Sequence, residues 1–148
     1  MEKYEEAVDD YTRELAVSGS DRSKARALNN RAYCYAKMSM FDKAIMDYSS
    51  VIDNEDSANV HAYHNRGISY ERVEEYGKAI EDFSEVIRLD PENGNAYFNW
   101  GCCYDTIGEL DLAIADYSIA LELDMKNGEG EERHKNPQVE QSFRPNCN

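Results

Sequence analysis

The sequence predicts an all-α array of helix pairs, and three observations carry that prediction. Alanines recur at Ala44, Ala79 and Ala113, at intervals of 79 − 44 = 35 and 113 − 79 = 34 residues. Each opens the same pattern: Ala44-Ile45…Tyr48, Ala79-Ile80…Phe83 and Ala113-Ile114…Tyr117. Upstream, every unit carries a second pattern: Leu28…Ala32…Tyr35, Tyr63…Gly67…Tyr70, and Tyr97…Trp100-Gly101…Tyr104. Spacings of three and four place such residues on one face of a helix. The third observation is compositional. Only 3 prolines interrupt 148 residues, so long helices are permitted, and 11 tyrosines are too many for a disordered chain.

The elements follow in order. Tyr4…Ala7-Val8…Tyr11…Leu15 matches the second helix of a unit, so residues 1–15 are a partial repeat. Ala7 to Ala44 is 44 − 7 = 37 residues, which predicts a longer connection over Ala16–Lys24. Full units span 25–57, 60–93 and 94–127. Each comprises two amphipathic helices of roughly 12–15 residues. Tight turns fall near Ser39-Met40, Glu74-Glu75 and Gly108-Glu109, and Asp90-Pro91 closes the second full unit, because proline disfavours helix in the residue before it. Ala32, Gly67 and Gly101 in the first helices, and Ala44, Ala79 and Ala113 in the second, stand where two backbones approach closely. Residues 128–148 are polar and glycine-containing, which predicts a flexible tail with one short turn around Pro137–Phe143. The apolar edge of the last helix, with Leu112, Ile119 and Leu123, is then partly exposed or covered by that tail. No first helix precedes Tyr4. Two readings stand, a piece of a longer repeat protein or a natural cap, and the first is favoured because a solenoid end needs a polar face.

The period and its aromatic, small-residue and alanine signature resemble the tetratricopeptide repeat family. The resemblance implies a right-handed α-solenoid of antiparallel helix pairs, whose concave groove is lined by the first helices and holds a peptide or a partner helix. Projected onto that groove, the first full unit supplies Arg26, Asn29, Asn30, Tyr33 and Lys37. The second supplies His61, His64, Asn65, Ile68 and Arg72, and the third Asn95, Phe98, Asn99, Cys102 and Asp105. Asn30, Asn65 and Asn99 hold the same place in the three units. A side-chain amide has a donor and an acceptor, as a peptide group does, so this set resembles the asparagine ladder of some family members. The alternative is a local structural preference. The co-chaperone subfamily grips a heat-shock protein's C-terminal carboxylate with lysine, asparagine and arginine. Only Asn30-Arg31 matches one of its elements, while His61 and Asn65 stand where lysine and arginine are needed.

Charge narrows the partners. With 16 Lys+Arg against 30 Asp+Glu the chain carries −14, which repels nucleic acid and anionic lipid. Within it, Arg22–Met38 holds Arg22, Lys24, Arg26, Arg31 and Lys37 and no acid. This local reversal suits an acidic partner segment, or else a solvated face balanced by the acidic helix Met1–Glu14. No run approaches the ~18 apolar residues of a membrane span, and the acidic N-terminus is no secretory signal. Cys34, Cys102, Cys103 and Cys147 show no disulfide framework, so a reduced, intracellular and cytoplasmic setting is expected.

Catalysis and cofactors find no support. His61 and His64 lie three apart, but no third ligand falls at helical spacing, so no metal is expected. No phosphate loop, nucleophile elbow or catalytic histidine–acid pair occurs. Function therefore reduces to a protein-binding scaffold, with three alternatives: a self-assembling array through uncapped ends, a regulatory part of a larger enzyme, and the chaperone-tail binder.

Overall fold

The computed structural model describes residues 1–17 and 19–127, and the tail expected over 128–148 lies outside the described residues. Seven α-helices follow one another: α1 (Glu2–Val17), α2 (Asp21–Lys37), α3 (Phe41–Ser50), α4 (Val60–Arg72), α5 (Tyr76–Leu89), α6 (Gly94–Thr106) and α7 (Leu110–Lys126). A π-helical turn, Val51–Glu55, continues α3. The described residues contain no strand. They form two compact units, one ending at Asp82 and the other beginning at Phe83.

In the first unit the helix starts are written in side chains. Ser20 caps α2, its hydroxyl accepting from Ser23 N at 3.3 Å, and Asp21 adds negative charge to the first turn. The long loop expected over Ala16–Lys24 is therefore short. α1 runs on to Val17 and α2 begins at Asp21, so both helices absorb the extra residues. Asn59 caps α4 by accepting from Ala62 N at 2.9 Å, while its Nδ2 donates to Asp56 Oδ2 at 3.1 Å. The second unit repeats the device: Asn93 accepts from Ala96 N at 3.0 Å and donates to Asp90 Oδ2 at 3.1 Å.

Each pair turns the same way. Ser39 (φ 59°), Glu74 (φ 63°) and Gly108 (φ 85°) are left-handed at equivalent places. Each allows the next N–H to reach back to a tyrosine carbonyl: Met40 to Tyr35 at 2.8 Å, Glu75 to Tyr70 at 2.9 Å and Glu109 to Tyr104 at 2.8 Å. Two of these three residues carry a side chain, at a cost of about 1–2 kcal/mol each.

The first unit's core joins Leu28 and Ala32 of α2, Ala44 and Tyr48 of α3, Val51 and Ile52 of the π-turn, and Ala62 of α4. Leu15, Tyr35 and Tyr63 pack against it half-buried. Across the α2–α3 and α4–α5 pairs runs a bidentate ion pair. Arg31 Nε and Nη2 reach Asp47 at 2.7 and 2.8 Å, and Arg66 meets Asp82 at 2.8 Å through both nitrogens. Each guanidinium also donates to the preceding second helix, Arg31 to Thr12 Oγ1 and Arg66 to Ser49 Oγ, both at 3.1 Å.

In the second unit α6 and α7 approach at Gly101. A Cβ there would stand 2.8 Å from two carbons of the Tyr117 ring and 3.3 Å from Ala113 O, which is the close contact expected of this position. Phe98 leans on Tyr117 with ring centroids 5.8 Å apart, and Trp100 lies between Tyr97 (6.2 Å) and Tyr104 (6.0 Å). On α7, Leu110, Leu112, Ile114, Ile119, Leu121 and Met125 are exposed.

Candidate peptide-binding cleft

The first helices of the first unit bound an open cleft of about 1090 Å³. Its walls carry six of the residues expected at the groove: Arg26, Asn29, Asn30 and Tyr33 from α2, and His61 and Asn65 from α4. Helical spacing alone brings these together, because residues three and four apart share a face. Lys37, His64, Ile68 and Arg72 are not among the lining residues. Lys37 instead sits over the Tyr33 ring at 5.2 Å. His64 is half-buried, and burial, then the nearby His61, lowers its pKa from the ordinary imidazole value.

Three acids and a fourth asparagine were not expected there. Asp21, Glu55, Asp56 and Asn59 line the cleft. The signal that finds them is the cap, Asp-x-x-Asn before an apolar run, because a residue at a first helix's start opens on the same face. This cap also orients a neighbour. Asn59 Oδ1 is fixed as an acceptor by Ala62 N–H, so Asn29 meets it through Nδ2, at a long 3.4 Å. Asn29 Oδ1 is buried and accepts no hydrogen bond. Four amides, Asn29, Asn30, Asn59 and Asn65, thus stand in one cleft with an acceptor unused.

The basic segment is partly spent. Arg31 is tied into Asp47 and presents no charge to a ligand. Arg26 pairs with Glu14 at 3.0 Å, but its side chain is 70% exposed, and a pair so exposed is worth little and yields readily. Arg22 lines the cleft. The cleft therefore has the cations Arg22 and Arg26, with Asp21 beside them, along α2, and the acids Glu55 and Asp56 near α4.

The remaining expected residues belong to the second unit. Asn95 and Asp105 are exposed, Asn99 is half-buried and Phe98 packs on Tyr117. Cys102 is 2% exposed and offers no surface to a ligand. Periodicity assigned it a face but carries no information on what covers that face. No group of three or more metal-binding side chains occurs among the described residues, and no helix there is long and apolar enough to cross a membrane.

Residues 60–93 match one tetratricopeptide repeat model, and residues 25–55 and 94–127 match another. The chain belongs to the tetratricopeptide repeat family. No curated protein matches it. Among solved structures, the crystal structure of MamA is 23% identical, with a TM-score of 0.78 over 85% of this chain and 71% of that one. The first tetratricopeptide domain of Spaghetti (RPAP3), bound to the HSP90 peptide SRMEEVD, is 26% identical, with a TM-score of 0.68 over 85% of this chain and 98% of that one. The second such domain, bound to the same peptide, is 27% identical, with a TM-score of 0.65 over 70% and 96%. The fold is an all-α helical-repeat solenoid.

Proposed function

We propose that this tetratricopeptide protein is a protein–protein interaction scaffold whose first-unit cleft holds an extended segment of a partner. The set of four amides from α2, α4 and its cap supports this best, because amides bind a peptide backbone whatever its side chains. The RPAP3 domains, of similar fold, hold an acidic peptide, which favours the same use of this cleft. Arg22 and Arg26 make the partner acidic where it crosses α2, and Glu55 and Asp56 favour a neutral or basic stretch near α4. The chain holds its partner and carries out no reaction on it.

The experiment selects peptide ligands from a random display library and compares their affinity for the wild type and for Asn30→Ala with Asn65→Ala. A loss of about tenfold or more at unchanged helicity is expected for two lost hydrogen bonds. Equal affinity overturns the cleft as the site. A second reading, association of copies, is favoured by the exposed Leu110, Ile114 and Leu121 of α7, and light scattering over a concentration series tests it.

A further inference from the structure

The interval from Ala44 to Ala79 is one residue longer than that from Ala79 to Ala113, and the backbone shows where the extra residue goes. Val51 and Val86, both fully buried, stand 86 − 51 = 35 residues apart. Asp56 and Asp90, which accept from the caps Asn59 and Asn93, stand only 90 − 56 = 34 apart. The insertion therefore lies between Val51 and Asp56. In the second unit the Asp90 N–H donates to Val86 O, four residues back, at 2.7 Å. In the first unit the Asp56 N–H donates to Val51 O, five residues back and also at 2.7 Å, so the added residue is taken up as the π-turn. Single π-turns of this kind occur frequently at functional sites.

The last residue of this turn is Glu55, which stands where the next repeat has Leu89, 89 − 55 = 34 residues on. Glu55 is half-buried and lines the cleft together with Asp56. The two carboxylates differ in what holds them. Asp56 accepts from Ala58 N at 3.2 Å and from Asn59 Nδ2 at 3.1 Å, so it belongs to the cap. Glu55 makes no hydrogen bond or ion pair with any described residue. An unpaired charge in a partly desolvated cleft gains more from an opposite charge than a fully solvated one does.

We propose that Glu55 is a specificity-determining residue of the cleft and selects a lysine or arginine side chain in the partner segment. This rests on the reading of the cleft as the seat of an extended partner, and it names a residue type that the partner must carry. Asp56, held beside Glu55 by the cap, adds a second negative charge at the same place. Arg22 and Arg26 line the α2 side and select an acid. The ligand is thus a segment that carries both charges. A wholly acidic segment sets a carboxylate against Glu55, and a wholly basic one sets a cation against Arg22 and Arg26. Like charges apposed in this way reject the wrong segment, just as opposite charges hold the right one.

The test pans a random peptide display library on the full chain, on Glu55→Leu and on Glu55→Lys. Ligands of the wild type are expected to carry lysine or arginine at one recurrent position, those of Glu55→Leu to lose that preference, and those of Glu55→Lys to carry aspartate or glutamate there. One wild-type ligand is then made as a labelled synthetic peptide and followed by fluorescence anisotropy. Glu55→Leu should weaken it about tenfold, but only about twofold or less once norleucine replaces the peptide's cation. Glu55 has no partner in the fold, so its replacement leaves helicity intact. Asn30→Ala with Asn65→Ala separates the two possible failures. If these asparagine changes weaken the peptide and Glu55→Leu does not, the cleft stands and the role of Glu55 is overturned alone. A tenfold loss that persists without the peptide's cation overturns it too. If the asparagine changes have no effect, or no ligand is selected, both readings fall.

Discussion

Trp100 stands sixteen residues before Asp116, the interval at which Arg31 meets Asp47 and Arg66 meets Asp82, yet the indole Nε1 donates no hydrogen bond and Asp116 Oδ2 accepts none. The third repeat has kept the carboxylate of the ion pair and replaced its guanidinium by an aromatic ring. Burial pushes the Asp116 carboxyl up to about 6. An unsatisfied buried acceptor costs about 1–3 kcal/mol, and the tilted contacts of Trp100 with Tyr97 and Tyr104 offset part of that.

Asp116→Asn should therefore raise the melting temperature at pH 7.5. The sign follows from linkage. The folded pKa, about 6, lies above the ordinary 3.8, so the folded state holds its proton longer than the unfolded one. As pH rises from about 4 to about 6 the wild type loses stability at this site, and above that the loss is constant. The advantage of the asparagine variant should be largest above pH 6 and vanish near pH 4. Calorimetry across that range decides, and a gain independent of pH would point to packing instead.

The intact pairs behave oppositely. Asp82→Ala should destabilise the protein by roughly 3 kcal/mol, because it leaves Arg66 mostly buried beside Tyr63 and Tyr70 without its partner. Denaturant unfolding measures this. A cost below about 0.5 kcal/mol, the level of an ordinary surface substitution, would mean that the guanidinium finds water easily.

Two glycines on helices should respond to alanine with opposite signs. At Gly101 the new Cβ meets the Tyr117 ring at 2.8 Å, and overpacking of this kind costs about 1–3 kcal/mol. At Gly77 nothing lies within 4 Å, so the substitution should stabilise by about 0.5–1 kcal/mol through helix propensity. Thermal melts of the two variants side by side test the close approach directly.

Truncating aromatics should separate the core from its rim. Tyr48→Ala should cost about 3–5 kcal/mol, as for buried aromatic side chains. Tyr70→Ala should cost less, because the ring is half-buried and its partners include the cations of Arg66 and Lys78. Chemical denaturation gives both values, and equal costs would mean that Tyr70 is as deeply packed as Tyr48.

Charge at the cleft should act on association rate. Arg22→Glu with Arg26→Glu should slow capture of an acidic peptide by about tenfold at low salt and flatten its salt dependence. Stopped-flow mixing at two ionic strengths tests this. Unchanged rates would make the α2 cations a solvated face.

The helix pairs were legible because small and aromatic residues at fixed spacings dictate which faces touch. Ala44, Ala79, Ala113 and Gly101 are buried, as that logic requires. The site was less legible. Arg26, Asn29, Asn30, Tyr33, His61 and Asn65 follow from periodicity, but Asn59, Asp56 and Glu55 enter from a cap and a loop, where spacing has no period. Arg31 counted as surface charge in a tally of cations, and only its pairing with Asp47 shows it withdrawn. Cys102 sits on the expected helix, yet it is buried, and spacing along one helix does not dictate burial.

None of the residues of α1 is fully buried. The helix is held by half-covered side chains such as Leu15, by the exposed Glu14–Arg26 pair and by one hydrogen bond from Arg31 to Thr12. Opening this one segment exposes much less apolar surface than opening α2 or α3, so its amides should exchange with solvent deuterium at a free energy well below that of global unfolding. α1 is thus a segment whose opening should cost less than that of its neighbours, and such an opening would bare the flank of α2 while the rest of the unit stays folded.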